Sequence, residues 1–281
     1  MKVRLISIRD FLTFIRFSHT LFALPFALGA MIVAAHGWPG WALFLKILVC
    51  MIFARTAAMT FNRIADWELD QRNPRTVNRH RLVSKKMALI ACASSALFFM
   101  IAAAFINKIC FLFSPLALAF LFFYSLTKRF TSLAQFFLGL ALAISPMGAW
   151  MAVTGGFALA PFVLAIGVVA WVAGFDIIYA TQDVEVDRRE KLHSMVVWLG
   201  VPRSLQLSQV LHFFFFIALI CFGFASQAPP LFYFFLLPVP LLLWYEHHVA
   251  KTLKVDLINR AFFQTNVLIG LIFILATVVS F

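Results

Sequence analysis

The chain has 281 residues, 63% hydrophobic and only 12% charged, with a formal net charge of +12. A soluble domain carries about a quarter charged residues, so this composition, at a mean hydropathy of +0.96, excludes a soluble globular protein and implies an all-α integral membrane protein. The basic excess sits in short loops between apolar runs, where positive-inside bias accounts for it, so nucleic acid is not an expected partner.

Residues 1–10 carry Lys2, Arg4 and Arg9 and lead into an apolar run. That run is too long for a signal peptide and contains Arg16, so it reads as the first transmembrane helix, over 11–35. Eight further apolar runs predict helices over 41–67, 86–106, 109–127, 131–153, 159–183, 204–225, 230–250 and 261–280, about nine in one bundle. The whole chain, 1–281, is then a single membrane-embedded domain.

Basic residues follow the even-numbered spans: Arg72, Arg75, Arg79, Arg81, Lys85 and Lys86 after the second, Lys128 and Arg129 after the fourth, Arg188, Arg189, Lys191 and Arg203 after the sixth, and Lys251, Lys254 and Arg260 after the eighth. The opposite loops (36–40, 107–108, 154–160 and 226–230) hold one basic residue, Lys108. This asymmetry places the N-terminus in the cytoplasm. Two cytoplasmic loops, 71–85 and 184–203, are longer and more polar than the others and are expected to cap a cavity. The cysteines, Cys50, Cys92, Cys110 and Cys221, are scattered singly and give neither a zinc spacing nor a disulfide framework.

The chain has 11 acidic residues. Three lie in the stretch from Asn62 to Asp70 and four in that from Asp176 to Asp187, both at the cytoplasmic ends of spans. Asn62, Asp66 and Asp70 recur every fourth residue, as do Tyr179, Asp183 and Asp187, so on continuous helices each set shares one broad face. Carboxylates at a helix C-terminus are repelled by its dipole and, near lipid, are costly to leave unpaired. Local arginines (Arg72, Arg75, Arg188) answer them, or Mg²⁺ does. A hard divalent ion that bridges a few carboxylates to phosphate oxygens suits two such walls facing one another. Arg55, Asn62 and Asp66 are spaced seven and four apart, as are Asp176, Asp183 and Asp187, which is a weak internal echo.

Arg55 is the least expected charge. It lies 11 residues before Asp66, about 16 Å deeper in the bilayer, where it needs either a buried partner such as Asp176 or a polar ligand. A bidentate grip on a carboxylated acceptor is the favoured reading.

The stretches Asn62-x3-Asp66-x3-Asp70 and Asp176-x2-Tyr179-x3-Asp183-x3-Asp187 resemble the two signature motifs of the UbiA-type intramembrane aromatic prenyltransferases. So do Asn73-Pro74-Arg75-Thr76, Tyr124-x3-Lys128-Arg129, the segment from Phe17 to Pro25, and Ala261-Phe262-Phe263-x2-Asn266. The Asp-x-x-Tyr form is most similar to 4-hydroxybenzoate polyprenyltransferases. The resemblance implies that Asp66, Asp70, Asp183 and Asp187 bind Mg²⁺, that Asn62 supports the diphosphate–metal assembly, and that Lys128, Arg129 and Arg75 contact the diphosphate. It places Asp176 and Tyr179 near the acceptor and the scissile bond, and Arg55 at the acceptor. It also implies an enzyme of the inner (cytoplasmic) membrane, its site facing the cytoplasm, that joins a polyprenyl diphosphate to a small aromatic acid for ubiquinone or menaquinone. The chain departs from the family after Arg79, where a Pro-Leu-Pro-x-Gly type turn gives way to His80-Arg81-Leu82-Val83-Ser84-Lys85-Lys86.

Prenylation of haem or a naphthoate is an alternative within the class, and a cation-coupled transporter is an alternative outside it, since carboxylates in a helical bundle also mark ion routes. The acids' clustering at one end of the spans disfavours transport. Glu246-His247-His248 lacks the HExxH spacing of a metalloprotease and reads as a solvated turn.

Overall fold

The computed structural model describes residues 7–16, 20–73 and 76–281, apart from the side chains of Leu21 and His80. Among these residues every regular element is helical, and seven helices are long and apolar enough to cross a membrane. In chain order the elements are α1 (Ile8–Phe14), α2 (Thr20–Ala35), α3 (Trp41–Ala65), α4 (Trp67–Arg72), α5 (Lys85–Ala104), α6 (Lys108–Phe123), α7 (Ala134–Thr154), α8 (Leu159–Ala180), α9 (Val184–Arg189), α10 (Met195–Leu199), α11 (Val201–Ala225), α12 (Pro230–Leu236), α13 (Val239–Ala250) and α14 (Val255–Ser280), with 3-10 turns at Arg79–Arg81 and Tyr124–Arg129.

Two predicted spans are not single helices. The run over 11–35 is divided: α1 ends at Phe14, Arg16 adopts φ +48°, and α2 is described from Thr20. A left-handed backbone at a non-glycine residue cannot continue a helix. The run over 230–250 is divided into α12 and α13 at Leu237-Pro238. Proline has no N–H to donate and its ring crowds the carbonyl one turn earlier.

Helix α8 is the centre of the bundle, with 67% of its most apolar window buried. It packs against α7, α11 and α14, while α2 lies against α7 and α14. Trp171 on α8 is fully buried among Phe26, Phe175 and Phe215, at ring distances of 4.8, 5.0 and 5.7 Å. Small residues permit these approaches: a Cβ on Gly139 of α7 would lie 2.7 Å from the Val169 carbonyl oxygen of α8. Helices α3, α5 and α6 stand on the other side of α7. Large apolar side chains such as Leu116, Phe213 and Leu241 are exposed, a surface that water would not tolerate and a bilayer solvates.

The Glu246-His247 pair is a correction to the sequence reading. Helix α13 continues to Ala250, and both side chains are buried in it. Glu246 accepts from Asn266 Nδ2 at 3.1 Å, and His247 Nε2 lies 3.0 Å from His212 Nδ1, joining α11, α13 and α14.

Candidate functional site

Both acidic stretches break at the middle residue of their fourfold ladders, Asp66 and Asp183. Helix α3 ends at Ala65, and Asp66 (φ −94°, ψ 15°) closes it and opens α4. After α8 and a short turn, Asp183 (φ −109°, ψ 1°) opens α9. The Asp70 amide donates to the Asp66 carbonyl at 2.8 Å, and the Asp187 amide to the Asp183 carbonyl at 2.8 Å. The carboxylates therefore do not ride on continuous helices, as the fourfold spacing suggested. Asp66, Asp70, Asp183 and Asp187 all belong to first turns of new short helices, where the dipole favours negative charge. The structural echo consequently pairs Asp66 with Asp183, one turn off the spacing match of Asp66 with Asp187.

The first carboxylates are met by cations. Asp66, 4% exposed, has Oδ2 2.7 Å from Lys128 Nζ and Oδ1 4.0 Å from Arg129 Nη2. Arg129 Nη2 also donates to the Ala65 carbonyl. Asp70 is held from two sides, by Arg79 Nη1 at 2.9 Å and Arg63 Nη1 at 3.3 Å. Burial, then repulsion from Arg63 and Arg16, pushes the Arg79 guanidinium down to about 10, with Asp70 opposing, so it stays charged at neutral pH. Of the partners expected locally, neither Arg72 nor Arg188 supplies these contacts.

On the second stretch, Tyr179 packs against Phe262 at 4.9 Å, and its hydroxyl accepts from Arg16 Nη1 at 3.2 Å. Asp176 lies three residues earlier on α8, beside Phe175, which packs on Phe22 and Phe262 at 5.7 and 5.2 Å. Asn62 is in the last turn of α3, its carbonyl accepting the Asp66 amide at 3.0 Å. The expected diphosphate contact Arg75 lies outside the described residues. The loops after the two stretches meet: Arg72 Nη1 is 3.1 Å from Glu190 Oε2, Arg189 Nη2 donates to the Arg72 carbonyl at 3.3 Å, and the His193 amide to the Lys128 carbonyl at 2.7 Å.

Below the Asp66–Lys128 pair lies a cavity of about 560 Å³ between α2, α3, α5, α6, α7 and α8. Its wall is almost wholly apolar, running past Met51, Phe120, Met147 and Phe162, with Arg55 and Tyr124 its most polar features. Arg55 Nε is buried without a hydrogen-bond partner, and Arg55 is within electrostatic reach of Tyr124, Arg63 and Arg16. Tyr124 begins the 3-10 turn that carries Lys128, so cavity and ion pairs share one element.

No three metal-ligating His, Cys, Asp or Glu side chains are gathered into a ready cage among the described residues. The donor chemistry nonetheless suits a hard cation: the acids are oxygen donors, and Asp66 Oδ1 is buried with no hydrogen-bond partner. Mg²⁺ uses one or two carboxylates plus substrate phosphate and water rather than an all-protein cage.

Sequence reasoning missed Arg16, Arg63 and Arg79 as members of the site and gave Tyr124 no role. The signal for the first two was their position, since an arginine within an apolar span is functional by default. Arg79, in a loop of many basic residues, carried no such mark.

Comparison with known proteins gives the family and the fold. The model of the UbiA prenyltransferase family matches residues 23–268. The 4-hydroxybenzoate octaprenyltransferase of Vibrio atlanticus (strain LGP32) is 28% identical over 251 residues, covering 88% of each chain. That of Francisella tularensis subsp. mediasiatica (strain FSC147) is 27% identical over 257 residues, covering 90% of each. Among solved structures, a UbiA homologue from Aeropyrum pernix K1 superposes with a TM-score of 0.83 at 26% identity, over 93% of this chain and 97% of that one. A UbiA homologue from Archaeoglobus fulgidus bound to DMAPP and Mg²⁺ superposes with a TM-score of 0.69 at 18% identity, covering 95% and 97%. A family match over most of the chain sets the transporter alternative aside: the chain is a membrane prenyltransferase and belongs to the UbiA prenyltransferase family.

Proposed function

We propose that this enzyme transfers a polyprenyl group from a polyprenyl diphosphate to a ring carbon of a carboxylated aromatic acceptor, 4-hydroxybenzoate or a related quinone precursor, in ubiquinone or menaquinone biosynthesis. It does so as one membrane-embedded domain over 1–281, with a cytoplasmic N-terminus and a site facing the cytoplasm of the inner membrane. The observation that carries the reading is the join between an apolar cavity holding an arginine with an unpartnered Nε and a charged mouth of carboxylates and cations. A lipid-tailed donor with a diphosphate head and a small aromatic acid need those two environments side by side. The names of the two curated relatives point to the same acceptor, and the Archaeoglobus homologues hold DMAPP or GPP together with Mg²⁺.

In this reading Asp66, Asp70, Asp183 and Asp187 hold Mg²⁺, with Asn62 supporting that assembly. The metal supplies neutralisation of the charge that builds on the departing diphosphate. Lys128, Arg129 and Arg75 bind the diphosphate oxygens, as charge-assisted hydrogen bonds to phosphate favour. Arg55 forks onto the acceptor carboxylate beside Tyr124 and orients the ring. Asp176 and Tyr179 stand between acceptor and donor. Tyr179, packed on Phe262 at 4.9 Å, presents an aromatic face to the positive charge that develops on the prenyl group.

Quinone analysis tests the acceptor. In cells lacking their own prenyltransferase for the ring, this chain should restore a prenylated quinone, read by mass spectrometry. A quinone pool that stays empty with the chain expressed and inserted overturns the proposal.

A further inference from the structure

The carboxylates that should receive a divalent cation already have tightly held partners. Asp66 Oδ2 is 2.7 Å from Lys128 Nζ, with side-chain exposures of 5% and 33%. Each Asp70 oxygen faces a guanidinium, Oδ1 that of Arg79 at 2.9 Å and Oδ2 that of Arg63 at 3.3 Å. Arg63 is 7% exposed. We propose that Lys128, Arg63 and Arg79 are resident counter-ions that close the first acidic stretch to a bare metal ion, so that the cation enters only with a diphosphate that takes these residues over. The inference rests on the donor-site reading above.

Charge balance carries it. A bare divalent ion that reaches Asp66 and Asp70 must shed part of a reluctantly released water shell. It must also displace Lys128 and Arg63 from their carboxylates. Removing one partner of a buried pair leaves the other as an uncompensated buried charge, which is strongly unfavourable. The surroundings of Arg63 include Arg55 and Arg79, both of which it repels, which adds to the cost of freeing it from Asp70. A diphosphate resolves the conflict at once. Its oxygens accept the freed ammonium and guanidinium and bridge to the metal. Metal and diphosphate affinities are then coupled, each raising the other by the same factor. The arrangement also keeps the mouth from holding metal between turnovers, when no leaving group needs it.

Metal binding without turnover tests this. Mn²⁺ would be titrated into the detergent-purified full chain, reading free Mn²⁺ by electron paramagnetic resonance and thermal stability in parallel. Lys128→Met should bind Mn²⁺ alone roughly tenfold or more tighter than wild type, and Mn²⁺ should raise its Tm while leaving that of wild type unchanged. The double variant Lys128→Met/Asp66→Asn should lose that gain. If Lys128→Met does not fold, Arg79→Met carries the same expectation through Asp70. Equal Mn²⁺ affinity in wild type and variant overturns the proposal. Geranyl thiodiphosphate with Mn²⁺ separates this failure from that of the underlying reading. If it stabilises wild type while the variants gain nothing, only the counter-ion role falls. If it stabilises no form, the donor site itself is misassigned.

Discussion

At Asp66, directly after a long helix, and at Asp183, a short turn after another, the backbone takes ψ close to zero and starts a helix six residues long. The spacing of the carboxylates was legible in the sequence, but this break was not. Neither Asp66 nor Asp183 is followed by the glycine or proline that ordinarily marks a helix end. What the break does is turn acids expected at repulsive C-termini into first-turn acids of α4 and α9. If both stretches serve one centre, Asp66→Ala and Asp183→Ala should each abolish turnover in correctly inserted protein, with the double variant no worse than either single, because groups acting as a unit are not additive. Full activity in either single variant would contradict a shared centre. Arg55 was legible as an anomaly of depth, and its unpartnered Nε in the cavity fits a ligand better than a structural partner. A hydrogen bond to a charged group contributes about 1.5–3 kcal/mol. Arg55→Ala should therefore raise the acceptor KM roughly ten- to a hundredfold while sparing the donor KM. The variant should also discriminate far less than wild type against a phenol lacking the carboxylate, and equal discrimination by the two would remove Arg55 from the acceptor site.

Elements follow hydropathy well where one apolar run makes one helix, as for α5 and α7, and poorly where local backbone chemistry interrupts the run. Pro238 was visible in the sequence, yet an apolar stretch of full length masked its effect. At Arg16 nothing but the charge itself hinted at the break after α1. Close packing of α8 on α11 was also hidden, because it depends on which side chain opposes which glycine. A Cβ at Gly174 would lie 2.4 Å from the His212 ring, whereas one at Gly148 meets nothing within 4 Å. Overpacking of this kind costs about 1–3 kcal/mol. Gly174→Ala should thus lower the Tm of the purified protein by several degrees, and Gly148→Ala should leave it unchanged or slightly raised. Equal Tm values for both variants would show that α8 and α11 do not pack as described.

The whole molecule is arranged so that one end of an apolar bundle carries most of the charge. That polarity was the most legible property of the chain, since the acids and most of the basic loop residues fall on one side of the spans. The cavity was not legible: it is formed by side chains of six helices, and no periodicity reports where six faces fail to meet. On the proposed reading the cavity and its charged mouth together hold a lipid diphosphate and an aromatic acid, and its central claim is that Mg²⁺ activates transfer between them. The direct measurement is product formation by the purified enzyme from 4-hydroxybenzoate and a polyprenyl diphosphate, followed by mass spectrometry with Mg²⁺ and with excess chelator. The account predicts a prenylated acid that forms with Mg²⁺, is lost with chelator and returns when Mg²⁺ is restored. Undiminished product in chelator, at a metal content shown to be below the enzyme concentration, would contradict it.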